Sequence, residues 1–173
     1  MNSRGLAPLI AAIETKLQHP TPEDGAAVNQ LIADCPPLDT NSVYCNLLQC
    51  SHFAETAIIA KSEGAAVGFT SGYRVPARPE VLFVWQVAVS KKARGQGLAS
   101  RLLQAQLDSE ACRGVRYIET TITKDNDASR ALFRAFAEKN GGIVEEFPHF
   151  DSVLHFRGKH DSEFLIRIGP FAS

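Results

Sequence analysis

The stretch Arg94-Gly95-Gln96-Gly97-Leu98-Ala99 decides the fold of this chain. It follows an apolar run at 81–89 and precedes leucines at helical spacing, so a strand, a glycine-containing turn and a helix are predicted in succession. This arrangement directs unpaired backbone N–H groups and the positive end of a helix toward one point, which suits a pyrophosphate. Gly95 and Gly97 permit positive φ and close approach of the backbone to a ligand. Arg94 adds a planar cation that pairs with phosphate oxygens.

The spacing of these glycines argues against two other nucleotide-binding motifs. The third glycine of a dinucleotide fingerprint is missing, and so is the Gly-Lys-Ser/Thr sequence of a P-loop. An ordinary turn between a strand and a helix that needs two glycines is the remaining alternative.

The composition is that of an ordinary globular protein. Of the 173 residues, 45% are hydrophobic and 21% are charged, and the formal net charge is −1. This balance does not suggest a general nucleic-acid or membrane surface, and no apolar run approaches the roughly 20 residues of a membrane span. We therefore expect a flexible N-terminal segment at 1–15, a single domain at 16–173 and a cytoplasmic location.

No metal site is expected. The cysteines lack a second pair at zinc spacing, and we expect them to be small buried hydrophobic residues; they are Cys35, Cys45, Cys50 and Cys112. His155 and His160 lie in a polar loop, where a metal ion would need further ligands. A role for this loop as a lid or a substrate contact is the alternative.

The patterning predicts helices and strands in a mixed order. Thr21 and Pro22 mark the start of a helix that stops before Cys35. Further helices are expected at 42–49, from Leu98 to about Arg113, and from a cap at Asp125 or Asn126 to 140–142. Strands are expected at 16–18, 57–60, 66–69, 81–89, 115–122, 142–147 and 164–168. The predicted fold class is α/β with a mixed sheet.

The glycine stretch and the order of the elements around it resemble those of the GNAT acetyltransferases. The resemblance implies the GNAT acyl-CoA N-acyltransferase fold, with a central, twisted, mostly antiparallel sheet flanked by helices. It also implies acetyl-CoA as the cosubstrate. The residues that it implies for binding this cosubstrate are Val87, Val89, Arg94, Gly95, Gln96, Gly97, Leu98, Ala99, Asn126, Ser129 and Phe133.

The second crossover helix supplies the last three of these residues. In the family, an asparagine and a small residue three positions later contact the pantetheine and phosphate arm, which Asn126 and Ser129 match. A tyrosine is common at the next position of the pattern, where it protonates the leaving thiolate, but this chain has Phe133. The alternatives are a plain helix cap for Asn126 and simple core packing for Phe133.

The family chemistry is direct transfer of an acetyl group to a primary amine. The amine must first lose a proton, because an alkylammonium with a pKa of about 10 has no lone pair for attack. The thioester carbonyl must be polarised as it gains charge, and the backbone N–H of Val87 is the expected donor. Val89 is expected to contact pantetheine.

Three further stretches narrow the resemblance. They begin with Cys35-Pro36-Pro37-Leu38-Asp39-Thr40-Asn41-Ser42-Val43-Tyr44 and continue with Phe83-Val84-Trp85-Gln86-Val87-Ala88-Val89 and His160-Asp161-Ser162-Glu163-Phe164-Leu165. Together they are similar to the diaminobutyrate acetyltransferases of ectoine synthesis, over about 20–168. This resemblance implies acetylation of the 4-amino group of L-2,4-diaminobutyrate, and it implies a homodimer.

The residue types in these stretches suit such a substrate. Asp39 and Glu163 are the expected anionic groups for the α-ammonium, and Trp85 offers a cation–π face beside the reacting amine. The expected partners of the carboxylate are Arg74, or amide and hydroxyl groups from Thr40 through Asn41 to Ser42. The expected proton acceptor is Tyr44 or Glu163. The alternatives are a turn cap for Asp39, core packing for Trp85 and a solvated strand edge for Glu163.

Two other functions are compatible with the same motifs. One is a GNAT enzyme that acts on another small amine or a polyamine. The other is a module of this fold that binds CoA without catalysis, because binding needs the same glycine loop as turnover does.

Overall fold

The computed structural model describes residues 14–171. Most of the segment predicted to be flexible, 1–15, therefore lies outside the described residues, as do the last two residues. No helix among the described residues is long and apolar enough to cross a membrane.

Residues 14–171 form seven strands and four α-helices. The strands are β1 (Lys16–Gln18), β2 (Ile58–Ser62), β3 (Ala65–Val75), β4 (Arg78–Val89), β5 (Tyr117–Thr123), β6 (Ile143–Phe150) and β7 (Glu163–Gly169). The helices are α1 (Gly25–Ala33), α2 (Val43–Gln49), α3 (Leu98–Leu107) and α4 (Asp127–Lys139). Short 3-10 turns occur at Pro22–Asp24, Ala54–Thr56, Lys91–Ala93 and Glu110–Cys112.

The strands form one mixed sheet in the order β1-β2-β3-β4-β5-β7-β6. Neighbouring strands are antiparallel except for β4 and β5, which run parallel because α3 crosses over between them. The predicted fold class, a mostly antiparallel sheet flanked by helices, is confirmed. The apolar run predicted as a central strand is β4, the fourth strand of seven.

A β-bulge in β4 changes the direction of its side chains. Gln86 pairs with Ser71 of β3 and Val84 pairs with Gly72, so Trp85 is the extra residue. Val84 and Val87, three positions apart, consequently pack into the same core with α3 and α4. Trp85 and Gln86 then face the opposite side of the sheet.

Hydrophobic cores lie on both faces of the sheet. On one face α1 contributes Val28, Leu31 and Ile32 to a cluster with Phe69 and Ala88. On the other face α3 and α4 cover the sheet, with Leu103, Phe133 and Phe136 among the buried side chains. Helices on both faces leave ligand access chiefly at the ends and splits of the sheet.

The parallel pair β4–β5 separates after three residues. Its register covers only Val81–Phe83 against Tyr117–Glu119. Glu119 belongs to the last pair before the strands separate. Its side chain is 2% exposed and accepts two hydrogen bonds from Arg78, at 2.6 and 2.8 Å. Arg167 of the neighbouring β7 lies 3.6 Å from the same carboxylate. These contacts tie three strands together where the cleft begins.

The observed element bounds differ from the predicted ones at several places. Helix α3 ends at Leu107 instead of about Arg113, since a separate 3-10 turn at Glu110–Cys112 follows it. Strand β3 extends to Val75 and β6 to Phe150, well beyond the predicted ends. Hydrogen bonding to a neighbouring strand maintains these segments as strands although their local sequence pattern is weak.

Loss of the Arg78 guanidinium is expected to destabilise the protein. In Arg78→Met the carboxylate of Glu119 stays buried with only Arg167 nearby, so we expect a loss of about 2–4 kcal/mol in the free energy of unfolding. The control is Arg113→Met, because Arg113 pairs with Glu110 in a salt bridge that is 79% and 74% exposed. Urea denaturation should show a change below about 0.5 kcal/mol for this control. Equal changes for the two variants would contradict a structural role for the buried pair.

Candidate active site

The split between β4 and β5 opens into a cleft. The residues that line it come from the loop after α1, the unpaired part of β4, the end of β5, the loop before α3, and the first turns of α3 and α4. They include Pro36, Pro37, Leu38, Val84, Trp85, Val87, Val89, Arg94, Ala99, Thr120, Thr121, Asn126, Ser129 and Phe133. Beyond the split, the backbone groups of β4 and β5 that do not pair with each other are therefore available to a ligand.

The glycine loop forms one end of this cleft. Gly95 and Gly97 have φ of +74° and +70°, and a Cβ atom at either position would meet nothing within 4 Å. Gly97 is also the N-cap of α3 and provides no side-chain acceptor for the first N–H groups of the helix. Nε of Arg94 donates to the carbonyl of Val89 at 3.0 Å, which fixes the guanidinium at the end of β4. The loop presents donors and positive charge with open space before them.

Helix α4 contributes the opposite wall. Oδ1 of Asn126 accepts a hydrogen bond from the backbone N–H of Ser129 at 3.1 Å, so Asn126 caps the helix and also lines the cleft. Phe133 is 4% exposed and belongs to the core while one side of it reaches the cleft. Asn126 therefore caps the helix and Phe133 packs in the core, while both residues also line the cleft.

A smaller polar pocket continues from the cleft. It shares Trp85, Thr121 and Asn126 with the cleft and adds a set of polar side chains: Asp39, Asn41, Thr123, His160 and Glu163. Trp85, the bulge residue, is 43% exposed and stands at the boundary between the two spaces. Its ring meets the ring of Tyr73 edge-on, at 6.5 Å between centroids.

Charged side chains are concentrated at one side of the polar pocket. Nε2 of His160 lies 3.1 Å from Oδ2 of Asp39 and 3.9 Å from Oε1 of Glu163. A hydrogen bond to the carbonyl of Asp161 raises the pKa of His160, and the two nearby carboxylates raise it further. The pocket thus combines two anionic groups with an imidazole that favours its charged form.

A chain of amides positions Asp39. Gln86 of β4 donates to the backbone carbonyl of Asp39 at 2.8 Å and accepts from Asn41 at 3.0 Å. Asn29 of α1 donates to the carbonyl of Asn41 at 2.9 Å and to the side chain of Asn46 at 2.8 Å. Both helices and the central strand therefore anchor the loop that carries Asp39.

Three of the residues predicted to contact the acceptor substrate lie outside these spaces. Arg74 donates from Nε to the carbonyl of Pro79 at 2.7 Å and from Nη1 to the carbonyl of Ala111 at 3.4 Å, and it lines neither the cleft nor the polar pocket. Tyr44 is 70% exposed on α2, and Thr40 is also exposed; neither lines the cleft or the pocket. Arg74 pairs with Leu82 near the C-terminal end of β3, whereas Gly68 near the other end pairs with Val89. The local sequence does not reveal this long-range pairing.

Sequence reasoning missed other lining residues. Gln86 is only 7% exposed and lies within an apolar strand. A polar residue in such an apolar run is the signal that could have identified Gln86 as a site residue. For His160 the sequence indicates a place in a polar loop, with a lid or a substrate contact as the alternative role of that loop. Thr121 and Thr123 carry no motif, and their place at the end of the strand paired with β7 is what brings them to the pocket.

The fold and the cleft define an acyltransferase of the acyl-CoA N-acyltransferase class. The model of the acetyltransferase (GNAT) family matches residues 26–137. The chain belongs to the GNAT acetyltransferase family.

Within this family, the chain is similar to proteins named L-2,4-diaminobutyric acid acetyltransferase. The chain is 54% identical over 155 residues to an L-2,4-diaminobutyric acid acetyltransferase of Methylotuvimicrobium alcaliphilum, covering 90% of each chain. It is 50% identical to the protein of the same name from Vibrio parahaemolyticus, covering 87% of this chain and 83% of the relative.

A solved structure shows the same likeness. It is diaminobutyrate acetyltransferase EctA from Paenibacillus lautus, in complex with its substrate L-2,4-diaminobutyric acid and coenzyme A. The two chains are 41% identical and superpose with a TM-score of 0.88, over 93% of this chain and 98% of the other.

Substitution of Gln86 tests the amide chain. Gln86→Leu leaves the partly buried carbonyl of Asp39 and the side chain of Asn41 without this partner, so we expect a loss of about 1–3 kcal/mol in unfolding free energy. Amide hydrogen exchange in the 36–41 loop should accelerate at the same time. Gln104→Leu is the control, since Gln104 makes only an exposed hydrogen bond to Asp108. Unchanged exchange in the loop of the Gln86 variant would refute the anchoring role.

Proposed function

We propose that this protein transfers the acetyl group of acetyl-CoA to the 4-amino group of L-2,4-diaminobutyrate, giving N4-acetyl-L-2,4-diaminobutyrate and CoA. The observation that carries the proposal is the polar pocket, with Asp39 and Glu163, opening directly into the cleft between β4 and β5. The relatives and the EctA structure, which bear that activity in their names, support it. We propose that the reaction belongs to ectoine synthesis, as the resemblance implies.

The described residues fit acetyl-CoA at the cleft. The first N–H groups of α3 have no side-chain acceptor from Gly97, and a pyrophosphate supplies acceptors there. Gly95 and Gly97, with Gln96 between them, leave room for its approach, and Arg94 supplies a cation for its phosphate oxygens. We assign the remaining contacts to Val87, Val89, Leu98, Ala99, Asn126, Ser129 and Phe133, although Leu98 is itself buried in the core.

The charge of the polar pocket matches the acceptor. L-2,4-diaminobutyrate carries two ammonium groups and one carboxylate at neutral pH. We assign the α-ammonium to Asp39 and Glu163, and the wall beside the reacting amine to Trp85. With Arg74 elsewhere and Thr40 outside the pocket, Asn41 is the predicted carboxylate contact that lines it. Selection of the 4-amino group would follow from holding the α-ammonium away from the thioester.

The catalytic assignments rest on position. Val87 lies on β4 beyond the last pair with β5 and lines the cleft, which supports its backbone as the donor to the thioester oxygen. Of the two predicted proton acceptors, Glu163 lies in the pocket with its side chain 17% exposed, whereas Tyr44 lies outside it. Phe133 has no hydroxyl to protonate the thiolate.

We also propose that the protein is located in the cytoplasm, where acetyl-CoA is available, and that 16–173 act as one domain.

We further propose that the protein is a homodimer. Strand β6 is an edge strand, and all eight of its residues are exposed. Ile143 and Phe147 are 67% and 43% exposed, and Val153 and Leu154 in the following loop are 72% and 81% exposed. An apolar edge strand of this kind invites pairing, and a second copy of the chain would cover it.

An amine panel tests the proposed reaction. The purified protein is mixed with acetyl-CoA and, separately, with L-2,4-diaminobutyrate, ornithine, lysine or spermidine, and thiol release is followed. We expect rapid turnover with diaminobutyrate, and NMR should locate the acetyl group on the 4-nitrogen. Equal rates with the other amines would refute the proposed substrate, and CoA binding without any turnover would favour the non-catalytic module.

Light scattering tests the dimer. We expect the wild-type mass to be about twice the 18.8 kDa of one chain. The double variant Ile143→Asp, Leu154→Asp places charges on the β6 surface and should shift the mass toward the monomer, because burying unpaired carboxylates is costly. Val43→Asp, at an exposed position on α2, is the control and should not shift it. A monomeric wild-type protein would refute the proposal.

A further inference from the structure

The two ring nitrogens of His160 have different partners. Nδ1 lies 2.7 Å from the carbonyl oxygen of Asp161, and Nε2 lies 3.1 Å from Oδ2 of Asp39. A carbonyl only accepts hydrogen bonds, so Nδ1 carries a proton. An ionised carboxylate also only accepts, so Nε2 carries a proton as well. An imidazolium at His160 satisfies both contacts when it pairs with an ionised Asp39.

The surroundings of His160 hold the ring in this position. Its backbone carbonyl accepts a hydrogen bond from Oγ of Ser152 at 2.6 Å, and the ring of Phe156 lies 4.6 Å from the imidazole, centroid to centroid. The charged groups that face the ring are Asp39, from the loop after α1, and Glu163, at the start of β7. The imidazolium thus occupies a place between two carboxylates that a substrate ammonium would also favour.

We propose that His160, in place of Glu163, is the proton acceptor of the transfer reaction, and that its imidazolium takes the place of a substrate ammonium group in the free protein. This inference rests on the proposed function. An arriving ammonium group pairs with Asp39 and Glu163 and removes the charges that favour the protonated ring. His160 then releases the Nε2 proton to solvent, and Nε2 becomes an acceptor inside the pocket.

The proton balance of the reaction is then complete. The 4-ammonium group gives one proton to Nε2 of His160, and the nitrogen lone pair forms a bond to the thioester carbon. The carbon–sulfur bond breaks, and the sulfur leaves with its electron pair. The nitrogen loses a second proton as the amide forms, and the thiolate takes up one proton to give CoA thiol. His160 returns to the charged state in which it pairs with Asp39.

NMR titration of His160 tests the charge exchange directly. In the free protein we expect the pKa of His160 to lie above that of an ordinary histidine. Addition of L-2,4-diaminobutyrate should lower it, and calorimetry in buffers of different ionisation enthalpy should show proton release on binding. A purely structural histidine would keep the same pKa in both states, and that result would overturn the exchange.

Kinetics test the proton transfer. His160→Gln keeps a polar side chain but has no titrating base, so we expect kcat to fall about 10²–10⁴-fold. The acidic limb of the pH profile of kcat, where the wild-type ring is protonated, should disappear in this variant. His52→Gln is the control, because His52 is exposed and outside both the cleft and the pocket. Its rate and pH profile should match those of the wild type.

The outcomes separate this inference from the proposed function. Rapid acetylation of diaminobutyrate by His160→Gln with an unchanged pH profile would overturn the role of His160 and leave the proposed function intact. Failure of the wild type to acetylate diaminobutyrate would instead refute the proposed function. Circular dichroism and CoA affinity equal to those of the wild type would show that a slow His160 variant is folded.

Discussion

The separation of β4 from β5 is the constraint on which the site depends. Two parallel strands normally satisfy each other's backbone groups along their length, but here pairing ends at Phe83 and Glu119. The bulge at Trp85 turns β4 away from its neighbour, and the buried carboxylate of Glu119 holds the strands together just below. A ligand that enters the split therefore meets strand backbones that no neighbouring strand uses, between walls supplied by α3 and α4.

The two halves of the site are held by different means. The glycine loop and helix α3 form a local structure within the crossover from β4 to β5, in which backbone conformation alone creates the donors. The polar pocket has no such local origin. Asp39 comes from the loop after α1, and Gln86 on β4 anchors that loop through its backbone carbonyl. Rigidity in this part of the site depends on buried amides, whose hydrogen bonds are costly to leave unmade.

The charges in the pocket are balanced in a way that bears on selectivity. Two carboxylates close together repel each other, and the imidazole of His160 lies between them. A molecule with one ammonium group replaces part of this balance, and a second ammonium group is free to approach the thioester. Under the proposed function, this gives a physical reason why a diamine suits the pocket better than a simple amine.

The sequence by itself determined what depends on neighbours along the chain. The glycine turn at 94–97, the cap at Asn126, the helices at 25–33 and 43–49 and the central strand follow from local conformational preference and from the spacing of apolar residues. The resemblance to family motifs predicted the overall fold and the loop that binds acetyl-CoA. The tertiary structure alone decided which distant side chains share a pocket. His160 contacts Asp39 across 121 positions of sequence, and Arg74, though of a suitable chemical type, faces elsewhere. The physical reason is that strand pairing and the bulge at Trp85 set these directions, and both depend on segments far apart in the chain.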